Sequence, residues 1–173
     1  MVKEACPRPA RLTVLSLTQV ATALTALDHI RRAADQLAIR LHELNFRAEQ
    51  DLDAAFLSAK TSRAEAVLVF PDSGSFGYLQ RFAELELKYR LPGMHFFAEY
   101  VAAGGLMSYG PTVTEQFERG AVFVGKILKG ANPGDLPVEQ PTRFELVINA
   151  RTARALGLVL PQAFLLQATK VIE

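Results

Sequence analysis

AVLVFPDSGSFG, residues 66–77, decides how the chain is read. Ala66 to Phe70 is a continuous apolar run with β-branched Val67 and Val69. A strand facing water on one side alternates apolar and polar residues. One without alternation is covered on both faces, as a central parallel strand is. Pro71 to Gly77 is a cluster of turn-forming residues. Beyond it Leu79, Phe82, Ala83 and Leu87 recur at helical spacing, which predicts a helix from about Phe76 to Tyr89. Strand, turn and helix in this order make half of a parallel crossover unit.

The same grammar extends in both directions. Upstream, Leu12 to Leu17 reads as a buried strand. Thr22 to Ala38 reads as an amphipathic helix, with Leu27, Ile30, Ala34 and Leu37 inward and Asp28, Arg31, Arg32 and Asp35 outward. Ile39 to Phe46 reads as a second strand. Asp51 to Ser62 reads as a helix capped by Asp51. Downstream, Met94 to Phe97 is a fourth strand, and Ala98 to Ala103 a short helix ended by Gly104-Gly105. Leu106 to Tyr109 is a fifth strand. The alternation of strand and helix predicts an α/β fold: a three-layer αβα, doubly wound parallel sheet, Rossmann-like. Thr112 to Lys129 is then a long helix with Val113, Phe117, Ala121, Val124 and Leu128 on one face. Ala131 to Thr142 contains three prolines and predicts a connector. Phe144 to Ile148 reads as a strand, Arg151 to Leu156 as a helix, and Pro161 to Ile172 as a final helix. Residues 1–10 are expected to form a disordered tail.

Composition narrows the function. Half of the residues are hydrophobic and 21% are charged, so a globular core is expected. The net charge of +1 gives no electrostatic reason to expect nucleic acid as a partner. No apolar run approaches the roughly 18 residues of a membrane span. The single cysteine, Cys6, excludes an internal disulfide and a cysteine-built metal site. The start, MVKEACPRPAR, has no apolar segment of the kind found in export signals.

Open parallel sheets take ligands beyond the carboxyl ends of their strands. Those ends carry Thr18, then Asp72, Ser73 and Ser75, then Phe97, then Tyr109. Hydroxyls, one carboxylate and aromatic rings make a recognition set; catalysis would need a nucleophile beside a base. Asp72 and Ser73 suit N-capping of the following helix as well as ligand contact, and the two roles can coexist. His29, His42 and His95 form no metal-binding spacing, and each reads as packed or solvated. No GxSxG elbow is present. GAVFVGK, residues 120–126, lies within a helical period and Ile127 stands where a phosphate loop needs Ser or Thr. A phosphoryl-accepting role for Asp72 lacks the acidic pair after the first strand. The expected ligand is therefore bound without chemistry, and no cofactor or metal is expected.

AGGLMSYGP (103–111), KILKGANPGDLPVEQPTRFELVIN (126–149) and RTARALGL (151–158) resemble the C-terminal half of the ABC transporter substrate-binding protein family, in its tryptophan/tyrosine-type group. The resemblance runs from about Arg11 to Glu173 and is densest after Leu91. It implies a type I periplasmic-binding-protein fold: two αβα lobes around a cleft, joined by crossing segments. Residues 11–104 would be the second-lobe core. Residues 105–140 would cross the hinge and return to a first lobe not contained in this sequence. Residues 141–173 would come back to the core. The implied function is solute binding for an ABC importer, with an aromatic amino acid as ligand and an ABC permease as partner. The implied place is periplasmic or otherwise extracytoplasmic; a chain complete as it stands would be cytoplasmic. The family commonly has an Asn-Pro turn after its first strand, where this sequence has Ser16-Leu17-Thr18-Gln19. Without a first lobe, the apolar face of helix 112–129 is expected to seek a second copy, giving a homodimer. The alternative is a shortened paralogue that serves as a sensor or oligomerisation module, or that binds no ligand.

Overall fold

The computed structural model of the chain describes residues 1–6, 10–17, 23–70, 72 and 74–173. Its strands are β1 (Arg11–Leu17), β2 (Arg40–Phe46), β3 (Ala66–Val69), β4 (Gly93–His95), β5 (Met107–Gly110), β6 (Glu145–Asn149) and β7 (Lys170–Ile172). Its helices are α1 (Val2–Ala5), α2 (Ala23–Gln36), α3 (Glu49–Thr61), α4 (Leu79–Tyr89), α5 (Ala98–Ala102), α6 (Val113–Leu128), α7 (Ala150–Ala155) and α8 (Gln162–Leu165). The strands form one seven-stranded sheet in the order β2-β1-β3-β4-β5-β6-β7.

Two periodicities build the layers. Along a strand, alternate side chains reach opposite faces. Val67 and Val69 pack with Leu15, Phe46, Leu52, Phe56, Phe82 and Val101, under α3, α4 and α5. Ala66 belongs to the other face, with Leu12, Leu106, Met107, Ile148 and Phe164 beside α1, α2, α7 and α8. Helices cover both faces, so the uninterrupted apolar character of Ala66–Phe70 has its cause. β1 pairs in parallel with β2, from Arg11↔Arg40 to Leu17↔Phe46, and with β3, from Leu12↔Ala66 to Leu15↔Val69. The chain moves first to one side of β1 and then to the other. The strand order therefore reverses between β1 and β3.

Several expectations are corrected. The start of the chain, expected to be a disordered tail, holds α1, with Ala5 and Cys6 buried in the second core. Lys3 Nζ donates to the Leu37 carbonyl at 2.8 Å, which ties α1 to the end of α2. Asp51 is not the cap residue of α3. It lies one turn in and accepts from the Arg47 and Ala48 amides at 2.9 and 3.2 Å. The expected helix 161–172 stops at Leu165, and Lys170–Ile172 adds a strand parallel to β6. The sheet is not wholly parallel: β6 runs antiparallel to β5. Residues 105–110 do not cross away from the core. β5 lies inside the sheet between β4 and β6, with Leu106 and Met107 buried. Exchange of this strand between copies would open the sheet. The helix start expected at Thr22 lies outside the described residues.

One buried acid ties α4, β4, α5 and β5 together. Glu86 has no exposed surface, and its Oε2 accepts from the Leu106 amide at 3.3 Å. Its Oε1 and the Tyr100 hydroxyl both crowd the position that a side chain on Gly93 would occupy. Glycine is needed there because of this close approach. At the far end of α5, Gly104 has φ +106°, the left-handed turn expected where a short helix stops. Burial pushes the Glu86 carboxyl up from 4.5 to about 8.

The native state thus retains a proton that the unfolded chain loses between pH 4.5 and about 8. Stability from this group falls as pH rises through that window, with a slope approaching 1.4 kcal/mol per unit, and levels off above it. Glu86→Gln should remove this slope in urea titrations from pH 5 to 8. An unchanged slope in the variant would show that Glu86 is not the group responsible. Gly93→Ala should destabilise by about 1–3 kcal/mol in the same assay through overpacking.

Candidate functional site

Open α/β sheets take ligands outside the strand ends where the order reverses, and here those are the carboxyl ends of β1 and β3. The segment leaving β3 builds that edge. The Phe70 amide donates to the Leu15 carbonyl at 2.7 Å, extending the β3–β1 pairing by one residue. Asp72 then accepts the Ser75 amide on Oδ1 at 2.6 Å, as a helix cap does, and starts a 3-10 turn over Ser75–Tyr78 that continues into α4. Ser75 Oγ donates to the Asp72 carbonyl at 2.8 Å. Gly74 packs against the Leu17 side chain, so the turn rests on the end of β1.

The next strand end supplies rings. Phe97 is half-buried after β4 and meets Phe76 edge to face, with centroids 5.2 Å apart. Phe76 is 44% exposed, which makes it the outer wall of this edge. Phe96 meets Phe97 edge to face at 5.3 Å and packs against Gly110 at the end of β5. Among the described residues a rim of contacts thus links Leu17, Asp72, Gly74–Phe76, Phe96–Phe97 and Gly110.

The expected residues divide on this map. Asp72 and Phe97 lie on the rim and are joined through Ser75 and Phe76. Asp72 Oδ2 is buried and has no hydrogen-bond partner among the described residues. Ser75 is buried completely and spends its amide and hydroxyl on Asp72, so it shapes the turn and presents nothing to a ligand. Tyr109 is separate: it pairs with Leu146 across β5–β6 and stacks on Phe144 at 5.6 Å. Thr18 and Ser73 lie outside the described residues. Phe76 was missed because its place in a Gly/Ser-rich turn reads as a helix start. Among the described residues no His/Cys/Asp/Glu group could hold a metal ion, and no helix is long and apolar enough to cross a membrane.

A concavity of about 750 Å³ lies apart from this edge, between α6 and residues 139–142, lined by Thr112, Gln116, Gly120, Phe123 and Gln140. Its charged groups face each other: Arg119 Nε donates to Glu139 at 2.9 Å. α6 itself has no buried residue among those described, and Phe117, Val124 and Leu128 are 77%, 55% and 81% exposed.

The model of the ABC transporter substrate binding protein family matches residues 1–172. The chain belongs to that family. A search of the curated proteins finds no match. Among solved structures, the chain is similar to a conserved domain protein from Vibrio cholerae, at 24% identity and TM-score 0.91, over 98% of this chain and 57% of that one. It is also similar to an ABC domain in complex with L-Trp from Streptococcus pneumonia, at 20% identity and TM-score 0.89, over 99% and 59% of the two chains. A third is a substrate binding protein with adhesive properties from Clostridium difficile, in a ligand-free, open structure, at 16% identity and TM-score 0.73, over 99% and 57%. At these identities the likeness is one of fold, that of periplasmic-binding-protein-like domains. The family member spans less than three fifths of the length of the structures it matches.

Asp72→Ala should lose the cap and destabilise by about 1 kcal/mol. Asp72→Asn retains the Oδ1 acceptor and should stay within about 0.5 kcal/mol of the native protein in urea unfolding. Equal losses in the two variants would mean that the carboxylate charge, not the cap, holds the turn.

Proposed function

We propose that this family member binds a small solute at the Asp72–Phe97 rim, in service of an ABC import system, without making or breaking bonds. The observation that carries the reading is the ring pair Phe76–Phe97, half-open at the edge where the strand order reverses. Half-exposed rings held edge to face offer an apolar wall for a flat ligand. Asp72 supplies the opposite chemistry: its buried Oδ2 has no partner among the described residues, and a ligand that opens the turn would find there a carboxylate suited to an ammonium group. A solute with both features is an aromatic amino acid. The L-Trp held by the Streptococcus pneumonia neighbour supports this choice. Thr18 and Ser73 are the further contacts we assign to the loops on either side. In this reading the partner is an ABC permease and the place of action is extracytoplasmic.

The reading includes a second αβα unit that closes over the rim in a type I arrangement. α6 is the surface to which it docks. Each large apolar side chain left in water forgoes about 1.5–3 kcal/mol, so an uncovered face of this kind drives association. For the 173-residue chain alone, the occupant is a second copy.

Thermal-shift and calorimetric titration with Trp, Tyr, Phe, Ala, nucleosides and sugars tests the ligand. The aromatic amino acids should raise Tm, since ligand at 100 times Kd stabilises by about 2.7 kcal/mol. Asp72→Asn should weaken their binding about tenfold or more. A shift with sugars alone, or none with any compound, contradicts the proposal. Light scattering at micromolar concentration should give a dimer, and Phe117→Glu a monomer; a native monomer contradicts the docking role of α6.

A further inference from the structure

The Phe97 side of the ring pair packs against a buried histidine. His95, at the end of β4, is 1% exposed. Its Nδ1 accepts the Phe97 amide at 3.1 Å. Phe97 occupies the cap position of α5, with extended φ and ψ of −92° and 133°. The amide of a cap residue is commonly satisfied by a Glu or Gln three residues on. Here that position is Tyr100, which cannot reach back in this way, and the imidazole takes the amide instead. The ring is also clamped. Phe97 lies 5.3 Å away on a 35° tilt, Tyr100 5.1 Å away at 32°, and Phe82 6.1 Å away at 41°. His95 Nε2 is buried and has no partner among the described residues.

We infer that His95 is a positioning residue for the ring wall: its unprotonated Nδ1 fixes the Phe97 backbone, and its stacked ring sets the Phe97 side chain against Phe76. The inference rests on the proposed site for its functional consequence, selectivity for flat aromatic solutes, but not for its geometry. Acceptance at Nδ1 requires the proton to sit on Nε2, so the tautomer is fixed by the structure. Burial keeps the imidazole neutral, pushing it down to about 4. A histidine that merely filled space would be replaceable by phenylalanine. A positioning histidine is replaceable by asparagine, whose side-chain oxygen can stand where Nδ1 stands.

Nitrogen-15 NMR of the unmodified protein at pH 7 is the first arm. A neutral Nε2–H tautomer with unprotonated Nδ1 is expected, and an Nδ1–H tautomer overturns the inference. The second arm is hydrogen exchange at the Phe97 amide. His95→Phe should abolish its protection while His95→Asn retains it; equal protection in the two variants overturns the inference. The third arm is the ratio of Trp to Leu affinity, which His95→Phe should lower at least fivefold and His95→Asn should preserve. If the native protein binds neither amino acid, the proposed function fails, and the first two arms still decide the role of His95.

Discussion

The parallel pairing of β1 with both β2 and β3 is the constraint on which the rest depends. A parallel pair needs a crossover, and crossovers are right-handed. Moving first to one side of β1 and then to the other places α2 on one face and α3 and α4 on the opposite one. Both faces are thereby covered, and the carboxyl ends of β1 and β3 lie side by side where the order reverses. The place of the proposed site follows from chain direction, not from any particular side chain. What the side chains decide is the edge itself: an aspartate that accepts the Ser75 amide, with Oδ2 unpartnered among the described residues, and rings at the end of β4.

The polar groups buried beneath that lining do different work from those on the rim. Glu86 joins α4 to the amide that enters β5, and Tyr100 lies between Glu86 and His95. His95 in turn holds Phe97. A path of direct contacts thus runs from the centre of the three-layer core to the ring wall. Each member is neutral in the native state: burial raises Glu86 and Tyr100 and lowers His95. Buried groups with few partners cost less neutral than ionised, since ions in the same places would have to be paired. The exposed ion pairs, such as Arg31 with Asp28 and Glu43, lie at the surface and add little by comparison.

Much of this was legible in the residues. Val67 and Val69 without polar alternation announced a strand covered on both sides, and the helical spacing of Leu79, Phe82 and Ala83 announced its crossover. The family resemblance on residues 104–158 led to the family that the chain proves to belong to. What failed was set by tertiary partners. Lys170–Ile172 becomes a strand because β6 offers an unpaired edge, a fact invisible in the local pattern. α1 orders because Ala5 and Cys6 find the core beside Phe164, far away in sequence. The antiparallel entry of β6 follows a Pro-rich connector whose path no periodicity records. Asking which residues end strands places Asp72 after β3 and Phe97 after β4, as the structure has them. His95 was read as packed and is buried, but turn and strand-end patterns do not record which ring it meets, nor that Phe76 meets Phe97.

The central claim is that the reversal of strand order makes a working site of the Asp72–Phe97 rim. Titration of the ¹⁵N-labelled protein with L-tryptophan, followed by amide chemical shifts, tests it most directly. Saturable shifts concentrated at Asp72, Gly74–Phe76 and Phe96–Phe97 are predicted, with α7 and α8 unmoved. Saturable shifts confined to α6 and residues 139–142, or no shifts at millimolar tryptophan, would contradict it.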